Sequence, residues 1–306
     1  MRLSFALVLL LPSLSFAQTD EMLKAVERDL AAKRTAKWVL ECEAPGGGFF
    51  HAPPGPKADA KPSLRATNGA VRAPRYLGFP LLKGEREKHA AFVLSCYDPK
   101  TGAFAEPGGK PDVAITSIGV MAAVEVGIPK EKFAKAMDYL KENAKTFEEV
   151  RIAAAAVEAW GVKDCPFKLD EWVKVAYKHL NQREPKEDRA RAVGGAAALV
   201  LRLGWELPVN DAQFAKPIMD DGQRADGGWG KTGEKASDIE TTYRVMRALT
   251  LLKEKPKDGA KLRAFLESHR NADGGYATKP GDKSSMSGVY YGVIVSKWLD
   301  DLEAKK

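Results

Sequence analysis

The chain has 306 residues, of which 44% are hydrophobic and 29% are charged, a composition typical of a globular protein and not of a disordered or fibrous one. The net charge is +7, but lysine and glutamate are interspersed as on solvated helix faces, which argues against a nucleic-acid-binding protein. The three cysteines are an odd number without a closely spaced pair, and the four histidines are scattered, so neither a disulfide framework nor a metal site is predicted.

The first 17 residues have the pattern of a secretory signal peptide. Arg2 supplies a positive charge, an apolar run extends from Leu3 to Phe16, and Ser15 and Ala17 form a small-residue cleavage signal. The run is shorter than the roughly 20 residues of a transmembrane helix. We therefore expect a signal peptide at residues 1–17, an exported protein (periplasmic or extracellular) and no stable membrane span. The alternative is an uncleaved N-terminal anchor helix, but no stop-transfer flank follows the run.

A glycine-containing turn that ends in an aromatic residue occurs four times, at Cys42–Phe49, Cys96–Phe104, Gln223–Trp229 and Arg270–Tyr276. The last two copies share Ala-Asp-Gly-Gly before aromatic residues that are 47 positions apart. We align the residues that follow these two turns as Ser237–Tyr243 with Ser285–Tyr291. Between the second and third turns there is room for two helix pairs without the turn, which gives six units of about 48 residues.

Each unit is predicted to contain two helices of different character. The first is amphipathic, as at Leu262, Phe265 and Leu266, and the second is apolar nearly all round, as in Ala192–Leu203 or Val289–Leu299. An inner ring of apolar helices inside an outer ring of amphipathic ones satisfies both patterns. The sequence thus predicts an all-α fold, an α/α toroid of six helix pairs. An open solenoid is the alternative, but its last repeat would need a polar outer face.

The turn has a mechanical explanation. The chain must stop one helix and reverse, which requires a residue with positive φ, and glycine adopts it without strain from a Cβ atom. The aromatic residue can then fill the gap between neighbouring pairs. The residues with this structural role are Gly48, Phe49, Gly102, Phe104, Gly227, Gly228, Trp229, Gly274, Gly275 and Tyr276.

These turns resemble the prenyltransferase/squalene-oxidase repeat. Gln223 with Gly228 and Trp229 is similar to the Gln-Trp motif of squalene and hopene cyclases, and Cys42–Phe49 is similar to the repeats of protein prenyltransferase β subunits. The resemblance covers most of the chain and implies a terpenoid cyclase-like toroid over residues 18–306. It specifies the fold more strongly than the function, because one fold carries several chemistries.

The catalytic signatures of that family are not retained. Class II terpenoid cyclases protonate their substrate with an Asp-x-Asp-Asp motif, which this sequence lacks. The zinc ligands of protein prenyltransferases would fall at Asp238, Glu240 and near Ser287, which keeps only the Asp. The resemblance thus implies no metal and no cofactor. Asp238 and Glu240 are the candidates for catalysis, and the alternative is that both only begin a helix, with Glu240 and Ser237 forming a capping box.

Three basic residues are candidates for ligand binding. The resemblance places Lys235 at a lysine that contacts the diphosphate in prenyltransferases. Arg244 and Arg247 lie one turn apart on an apolar helix, where they either pair with acids of a neighbouring helix or project into the lumen toward an anion. The Pro-rich segment Ala52–Pro74 is expected to be a solvated loop, or alternatively a lid over the toroid, and a helix near Ala66–Leu77 is expected to follow the first turn.

Two functions remain open from sequence. The first is an exported toroid that binds an apolar small molecule or a peptide in its lumen without the family's standard chemistry. The second is an enzyme of the terpenoid cyclase or prenyltransferase class that acts on an isoprenoid-type substrate with altered catalytic residues. An open cavity with Asp238 or Glu240 in its wall would favour the enzyme, and a filled lumen would favour a scaffold.

The signal-peptide hypothesis makes a direct prediction. Because the small residues end at Ala17, mass spectrometry of the protein recovered from the periplasm or the medium should find an N-terminus at or near Gln18. A recovered chain that begins at Met1 would contradict it.

Overall fold

The computed structural model describes residues 16–53, 61–180, 189–231 and 233–304. These residues are mostly helical, and their only β-structure consists of isolated β-bridges. Most of the predicted signal peptide, up to residue 15, lies outside the described residues. The α-helices are α1 (Phe16–Glu41), α2 (Leu64–Tyr76), α3 (Lys83–Glu87), α4 (Ala90–Ser95), α5 (Val113–Glu125), α6 (Lys135–Asn143), α7 (Phe147–Trp160), α8 (Asp170–Leu180), α9 (Arg189–Arg202), α10 (Val209–Asp221), α11 (Ile239–Leu252), α12 (Gly259–Ser268) and α13 (Met286–Ala304). None of these described helices combines the length and the apolar character that a bilayer-crossing helix needs.

Six of the helices form a closed inner ring. In the order α2, α5, α7, α9, α11 and α13, each packs against the next, and α13 packs back against α2. The helices α1, α4, α6, α8, α10 and α12 lie outside this ring, each against an inner helix that is adjacent in the chain. The prediction of an α/α toroid with six helix pairs is confirmed, and the open solenoid is excluded.

Five of the inner helices begin with side-chain caps, and the residues that precede the sixth, α9, lie outside the part of the chain that the structure describes. Ser63, Asp112, Thr146 and Asp238 each accept a hydrogen bond from the backbone N–H three residues later. The Oγ of Ser285 likewise accepts one from Gly288, at 3.1 Å. Side chains near the starts of α2, α5, α7, α11 and α13 line one cavity, and Arg191 of α9 lies 3.9 Å from Glu148 of α7, so the inner helices begin at the same end of the toroid.

The capping box expected at Ser237 and Glu240 is wrong. Asp238 caps α11, because its Oδ1 accepts from the N–H of Thr241 at 2.8 Å, whereas Ser237 donates its hydroxyl to Oδ1 of Asp226 at 2.6 Å. In the last repeat Ser284 donates in the same way to Asp273, at 2.8 Å. Ser237 therefore corresponds to Ser284, and our sequence alignment of Ser237 with Ser285 is off by one residue. The serine that hydrogen-bonds to the carboxylate of the Asp-Gly-Gly turn fixes how the two repeats align. The composition of the following helices alone does not reveal this alignment.

The turns are joined to the inner helices by their aromatic residues. Phe49, Phe104, Trp229 and Tyr276 are all buried. The N–H groups of the first three donate to the hydroxyls of Thr67, Thr116 and Thr242 at 2.9, 3.1 and 3.0 Å. In the fourth turn the backbone of Tyr276 takes up the space that a side chain at Gly288 would need. Gly48, Gly102, Gly227 and Gly274 have φ values between 76° and 94°, and Gly228 and Gly275 donate their N–H to Asp226 and Asp273.

The ring is closed by contacts between the last turn and the first helix pair. Thr35 of α1 donates its hydroxyl to the carbonyl of Gly274 at 2.7 Å, and the indole N–H of Trp38 donates to Asp273 at 3.2 Å. The N–H of Met286 donates to the carbonyl of His51 at 2.7 Å. Residues at the two ends of the chain thus hold one another in place.

The expectation of a loop over Ala52–Pro74 is wrong for its second part. Ser63 caps α2, so Arg65 and Arg72 belong to an inner helix, and Pro74 lies in its last turn. The helix expected near Ala66–Leu77 is confirmed, and it begins at Leu64 after prolines that are tolerated before a helix start. Residues 54–60 of this segment lie outside the described residues.

All three cysteines are free. Cys42 and Cys96 are buried at the ends of outer helices, where burial raises the pKa of their thiols to about 12 and about 11. Cys165 is partly exposed and its thiol pKa is also raised by burial. Buried thiols with so little thiolate suit a packing role and not a catalytic one.

A glycine substitution tests the closure of the ring. A Cβ at Gly274 would lie 2.9 Å from the backbone of Arg34 in α1, whereas a Cβ at Gly281 would meet nothing within 4 Å, and both glycines have positive φ. Gly281→Ala should cost about 1–2 kcal/mol of unfolding free energy from backbone strain, and Gly274→Ala about 1–3 kcal/mol more because of the overlap. Urea unfolding measures both, and equal losses would show that the last turn does not pack on α1.

Candidate ligand-binding lumen

A cavity of about 330 Å³ lies inside the inner ring, near the helix starts. We call it the upper chamber. Five arginines and four glutamates contribute to its wall: Arg65, Arg72, Arg151, Arg202, Arg244, Glu148, Glu149, Glu158 and Glu240. The rest of the wall is mostly aromatic or aliphatic, with Tyr243, Tyr290, Tyr291, Ile118 and Met121. Its volume is at the lower end of the roughly 300–1,000 Å³ range of ligand pockets.

A second cavity, of about 260 Å³, lies at the opposite ends of the inner helices. We call it the lower chamber. Arg75, Tyr76, Glu125, Arg247 and Trp298 belong to its wall only. Both chambers are lined by Arg72, Met121, Ala155, Glu158, Arg202 and Tyr243. The lumen is therefore open at two levels that adjoin at this shared wall.

Arg244 of α11 forms ion pairs with Glu148 of α7 and Glu240 of α11, which we call the upper ion pairs. The pair with Glu148 connects α11 to α7 across small residues of α9. Gly195 and Ala198 of α9 line the space through which the arginines pass. Arg244 donates to both carboxylate oxygens of Glu148, at 3.0 and 2.8 Å, and to Glu240 at 2.6 Å. Arg244 thus both pairs with an acid of another helix and lies in the lumen, so each sequence alternative describes part of its arrangement.

These pairs keep two lumen glutamates ionised. Burial by itself would raise the pKa of Glu148, but Arg151, Arg244 and Arg191 hold that pKa below its usual value. Burial likewise acts to raise the pKa of Glu240, and Arg244 outweighs it. At neutral pH neither carboxyl carries the proton that a cyclase-type acid must donate.

A lower arginine cluster consists of Arg72, Arg202 and Arg247, whose side chains are only 10–17% exposed. Arg247 donates to Glu158, and the Nε of Arg202 lies 3.3 Å from the same carboxylate. The Nε atoms of Arg202 and Arg247 are nevertheless buried without a hydrogen-bond partner, since ion-pair distance does not guarantee alignment. Arg72 lies 3.9 Å from its nearest acid, Glu125.

Aromatic rings surround this cluster. Tyr243 stacks on Trp298 with 5.1 Å between ring centroids and lies 5.8 Å from Tyr290. The guanidinium of Arg247 lies over Trp298 at 5.4 Å, and that of Arg72 over Tyr290 at 5.8 Å. Burial alone would raise the pKa of Tyr243, but Arg202, Arg247 and Arg72 together lower it below its usual value.

The candidates from sequence do not meet at one site. Asp238 is the helix cap described above, and its second oxygen is buried without a hydrogen-bond partner. Lys235 is exposed on the preceding loop and does not line the cavity. Glu240 lies in the upper chamber wall, and Arg247 lies in the lower one. Within the ranges described, no three His, Cys, Asp or Glu side chains are grouped in a way that could hold a metal ion.

Sequence reasoning missed most of the lumen wall. Arg72, Arg202, Tyr243 and Tyr290 come from four different helices, and only ring closure brings them together. Their signal was present but weak: each is a polar residue within an apolar helix, three or four positions from another lumen residue. Because these polar residues recur every three or four positions, the inner helices are less apolar on the side that faces the lumen than we predicted.

The sequence comparison supplies the family. Residues 13–160 and 192–306 match the prenyltransferase alpha-alpha toroid domain. The chain belongs to this family. No curated protein is significantly similar to it in sequence.

Solved structures of the toroid family share its fold at low identity. A variant of the type II terpene cyclase MstE from Scytonema, in complex with its substrate geranylgeranyl dihydroxybenzoate, is 12% identical with a TM-score of 0.62, over 92% of this chain and 99% of that one. The Candida albicans protein geranylgeranyltransferase-I complexed with GGPP is 12% identical with a TM-score of 0.58, over 77% and 84%. A structure named only as a wild-type glycosidase is 12% identical with a TM-score of 0.59, over 92% and 98%. At such identities the likeness shows the fold alone.

The upper ion pairs predict a pH-dependent mutant effect. Because Arg244 lowers the pKa of Glu148 and Glu240, the stability from these pairs is present above the usual carboxyl pKa of 4.5 and is lost as the pH falls through the lowered values. Arg244→Met should cost about 1–2 kcal/mol at pH 7, less than a fully buried pair because Glu148 is half exposed. The difference from wild type should narrow below about pH 4.5.

Urea unfolding at several pH values measures this effect. Arg65→Met is the control, since it removes the same charge from the exposed start of α2. A stability difference between Arg244→Met and wild type that stays constant with pH would contradict the assignment.

Proposed function

We propose that this protein is an exported member of the toroid family that binds a compact amphiphilic anion in its lumen and does not perform the family's standard chemistry. The observation that carries the proposal is the upper chamber wall, in which buried arginines alternate with Tyr243, Tyr290 and Tyr291. Export is supported by the signal-peptide pattern of residues 1–17.

The wall supports a ligand with two different parts. Ile118, Met121 and the tyrosines offer apolar contact to an unsaturated or aromatic body. The arginines favour an acidic group, because guanidinium groups match the geometry of carboxylates and phosphates. The sequence led us to expect an apolar small molecule or a peptide as the ligand. The charged wall favours a small amphiphile among these classes. Isoprenoid bodies are favoured by the ligands named for two relatives, geranylgeranyl dihydroxybenzoate and GGPP.

The carboxyl groups support binding over protonation. Glu148 and Glu240 line the upper chamber, and their lowered pKa values leave them ionised. Asp238 uses one oxygen to cap α11 and is not part of the chamber wall. A substrate in the upper chamber would thus meet carboxylates paired with arginine and not a proton donor.

An isoprenoid-type enzyme with altered residues is the second candidate. The observation that favours it is Tyr243, a lumen side chain whose pKa is lowered and which can therefore give up its proton more readily than an ordinary tyrosine. Product analysis decides between the two functions. Recovery of unchanged geranyl phosphate after long incubation supports the binding protein, and turnover that is lost in Tyr243→Phe would replace it with the enzyme.

Binding should depend on both parts of the ligand. Wild-type protein is expected to bind geranyl phosphate at least roughly tenfold more tightly than geraniol in calorimetric titrations, because the alcohol lacks the charge. Ala114→Trp fills the upper chamber without changing a charge and should weaken binding by roughly tenfold or more. The control Ala260→Trp lies on the exposed face of α12 and should bind like wild type.

Two results would contradict the proposal. One is equal affinity for geraniol and geranyl phosphate. The other is full binding by an Ala114→Trp variant whose thermal unfolding shows that it is folded.

A further inference from the structure

The lower arginine cluster has more buried positive charge than its acids compensate. Arg202 and Arg247 share one carboxylate, that of Glu158. Arg72 has only Glu125, at 3.9 Å, and that carboxylate also pairs with Arg75 at 3.2 Å and Arg86 at 3.6 Å. Buried charges are costly unless they are paired, so this cluster calls for a further negative group.

We infer that Arg72, Arg202 and Arg247 form an anion subsite for a single phosphate or carboxylate group at the junction of the two chambers, where Tyr243 lies beside them. Arg72, Arg202 and Tyr243 line both chambers, so a group held there is accessible from the upper one. The anion subsite itself does not depend on the proposed function. Only the claim that the bound anion carries an apolar body rests on it.

Unused hydrogen-bond donors support the subsite. The Nε–H groups of Arg202 and Arg247 are buried and have no hydrogen-bond partner. A guanidinium has five N–H donors in a planar fork, and an oxyanion is the acceptor that best satisfies several of them together. The side chains are held from outside by the ring of Trp298 and the carboxylate of Glu158, which leaves their geometry fixed before a ligand arrives.

Tyr243 senses the charge in the subsite. From α9, α2 and its own helix it faces Arg202, Arg72 and Arg247, which lower its pKa. From α13 it faces the rings of Tyr290 and Tyr291, whose own pKa values are raised by burial, and from α7 the carboxylate of Glu158 shares its stretch of lumen wall. An anion between the arginines would offset their field and raise the pKa of Tyr243. By reciprocity, ionisation of Tyr243 must weaken anion binding.

The orientation of an amphiphile follows from this placement. With its acidic group at the shared wall, the body of the ligand extends into the upper chamber, past Tyr290, Tyr291 and Ile118. In the upper chamber, in contrast, Arg244 is occupied by Glu148 and Glu240, and Arg151 by Glu148. The deep cluster is therefore the anion site, and the upper chamber accommodates the body.

The ultraviolet absorbance of tyrosinate tests the subsite, with sulfate as a probe whose charge is constant over the titration. Wild-type protein should contain one tyrosine that ionises at lower pH than the others, and sulfate should shift that transition to higher pH. Tyr243→Phe should lack the transition and should bind sulfate with an affinity that no longer falls as the pH rises. An early transition that sulfate leaves unmoved, or that survives in Tyr243→Phe, overturns the inference.

Charge variants provide the second arm. Arg202→Gln should weaken sulfate binding by roughly tenfold, while Arg34→Gln, with the same charge change on the exposed face of α1 and outside the lumen, should not. Arg202→Lys keeps the charge and should restore part of the affinity, which separates loss of the subsite from loss of folding. Equal sulfate affinity in Arg202→Gln and wild type overturns the subsite.

Geranyl phosphate distinguishes the sources of the anion. If the subsite serves an amphiphile, geranyl phosphate should displace sulfate and bind roughly tenfold or more tightly than inorganic phosphate. Sulfate coupling to Tyr243 without binding of geranyl phosphate upholds the subsite as a free-oxyanion site and removes the proposed function. Tight binding of geranyl phosphate that is unaffected by Arg202→Gln keeps the proposed function and overturns the subsite.

Discussion

Closure of the inner ring is the constraint on which the rest of the structure depends. The contact of α13 with α2 and the hydrogen bonds from Thr35 and Trp38 to the last turn hold together segments from opposite ends of the chain. Because all inner helices begin at the same end, residues at three- or four-residue spacing on six different helices face one shared interior. A substitution in the last turn therefore acts on the lumen through the first helix pair.

A closed interior forces its charges to compensate one another. Most lumen arginines, among them Arg72, Arg202, Arg244 and Arg247, are largely removed from bulk water, so each must meet a carboxylate, an aromatic ring or a ligand. Near the helix starts, Arg151, Arg191 and Arg244 face the carboxylates of Glu148 and Glu240. Around Tyr243 fewer carboxylates serve more arginines, because Glu158 is shared by Arg202 and Arg247, and Glu125 by Arg72, Arg75 and Arg86. This difference between the two levels of the lumen is the physical basis for assigning the acidic part of a ligand to the deeper one.

The repeat allowed the fold to be predicted, because the turn that ends at Trp229 recurs at Tyr276 and each copy must be followed by a helix. The site could not be predicted to the same extent. Ser237 is a residue type that often caps helices, but its hydroxyl donates a hydrogen bond to the carboxylate of Asp226. Asp238 caps α11 instead. The prolines favoured a loop as far as Pro74, which overlapped the helix expected near Ala66–Leu77 and gave Arg72 no place in the lumen wall. The lumen wall forms only when the ring closes, so no single segment of the sequence predicts it. The family's catalytic positions instead suggested Lys235, which is exposed.

The central claim is that the lumen has an uncompensated cationic site at Tyr243. A crystal structure determined in the presence of selenate, whose selenium can be located by anomalous scattering, tests it most directly. The account predicts one strong selenium peak inside the ring, within hydrogen-bond distance of the guanidinium groups of Arg202 and Arg247, and its absence from crystals of Arg202→Gln. Selenium only at the outer surface, with the three arginines each paired to a carboxylate, would contradict it.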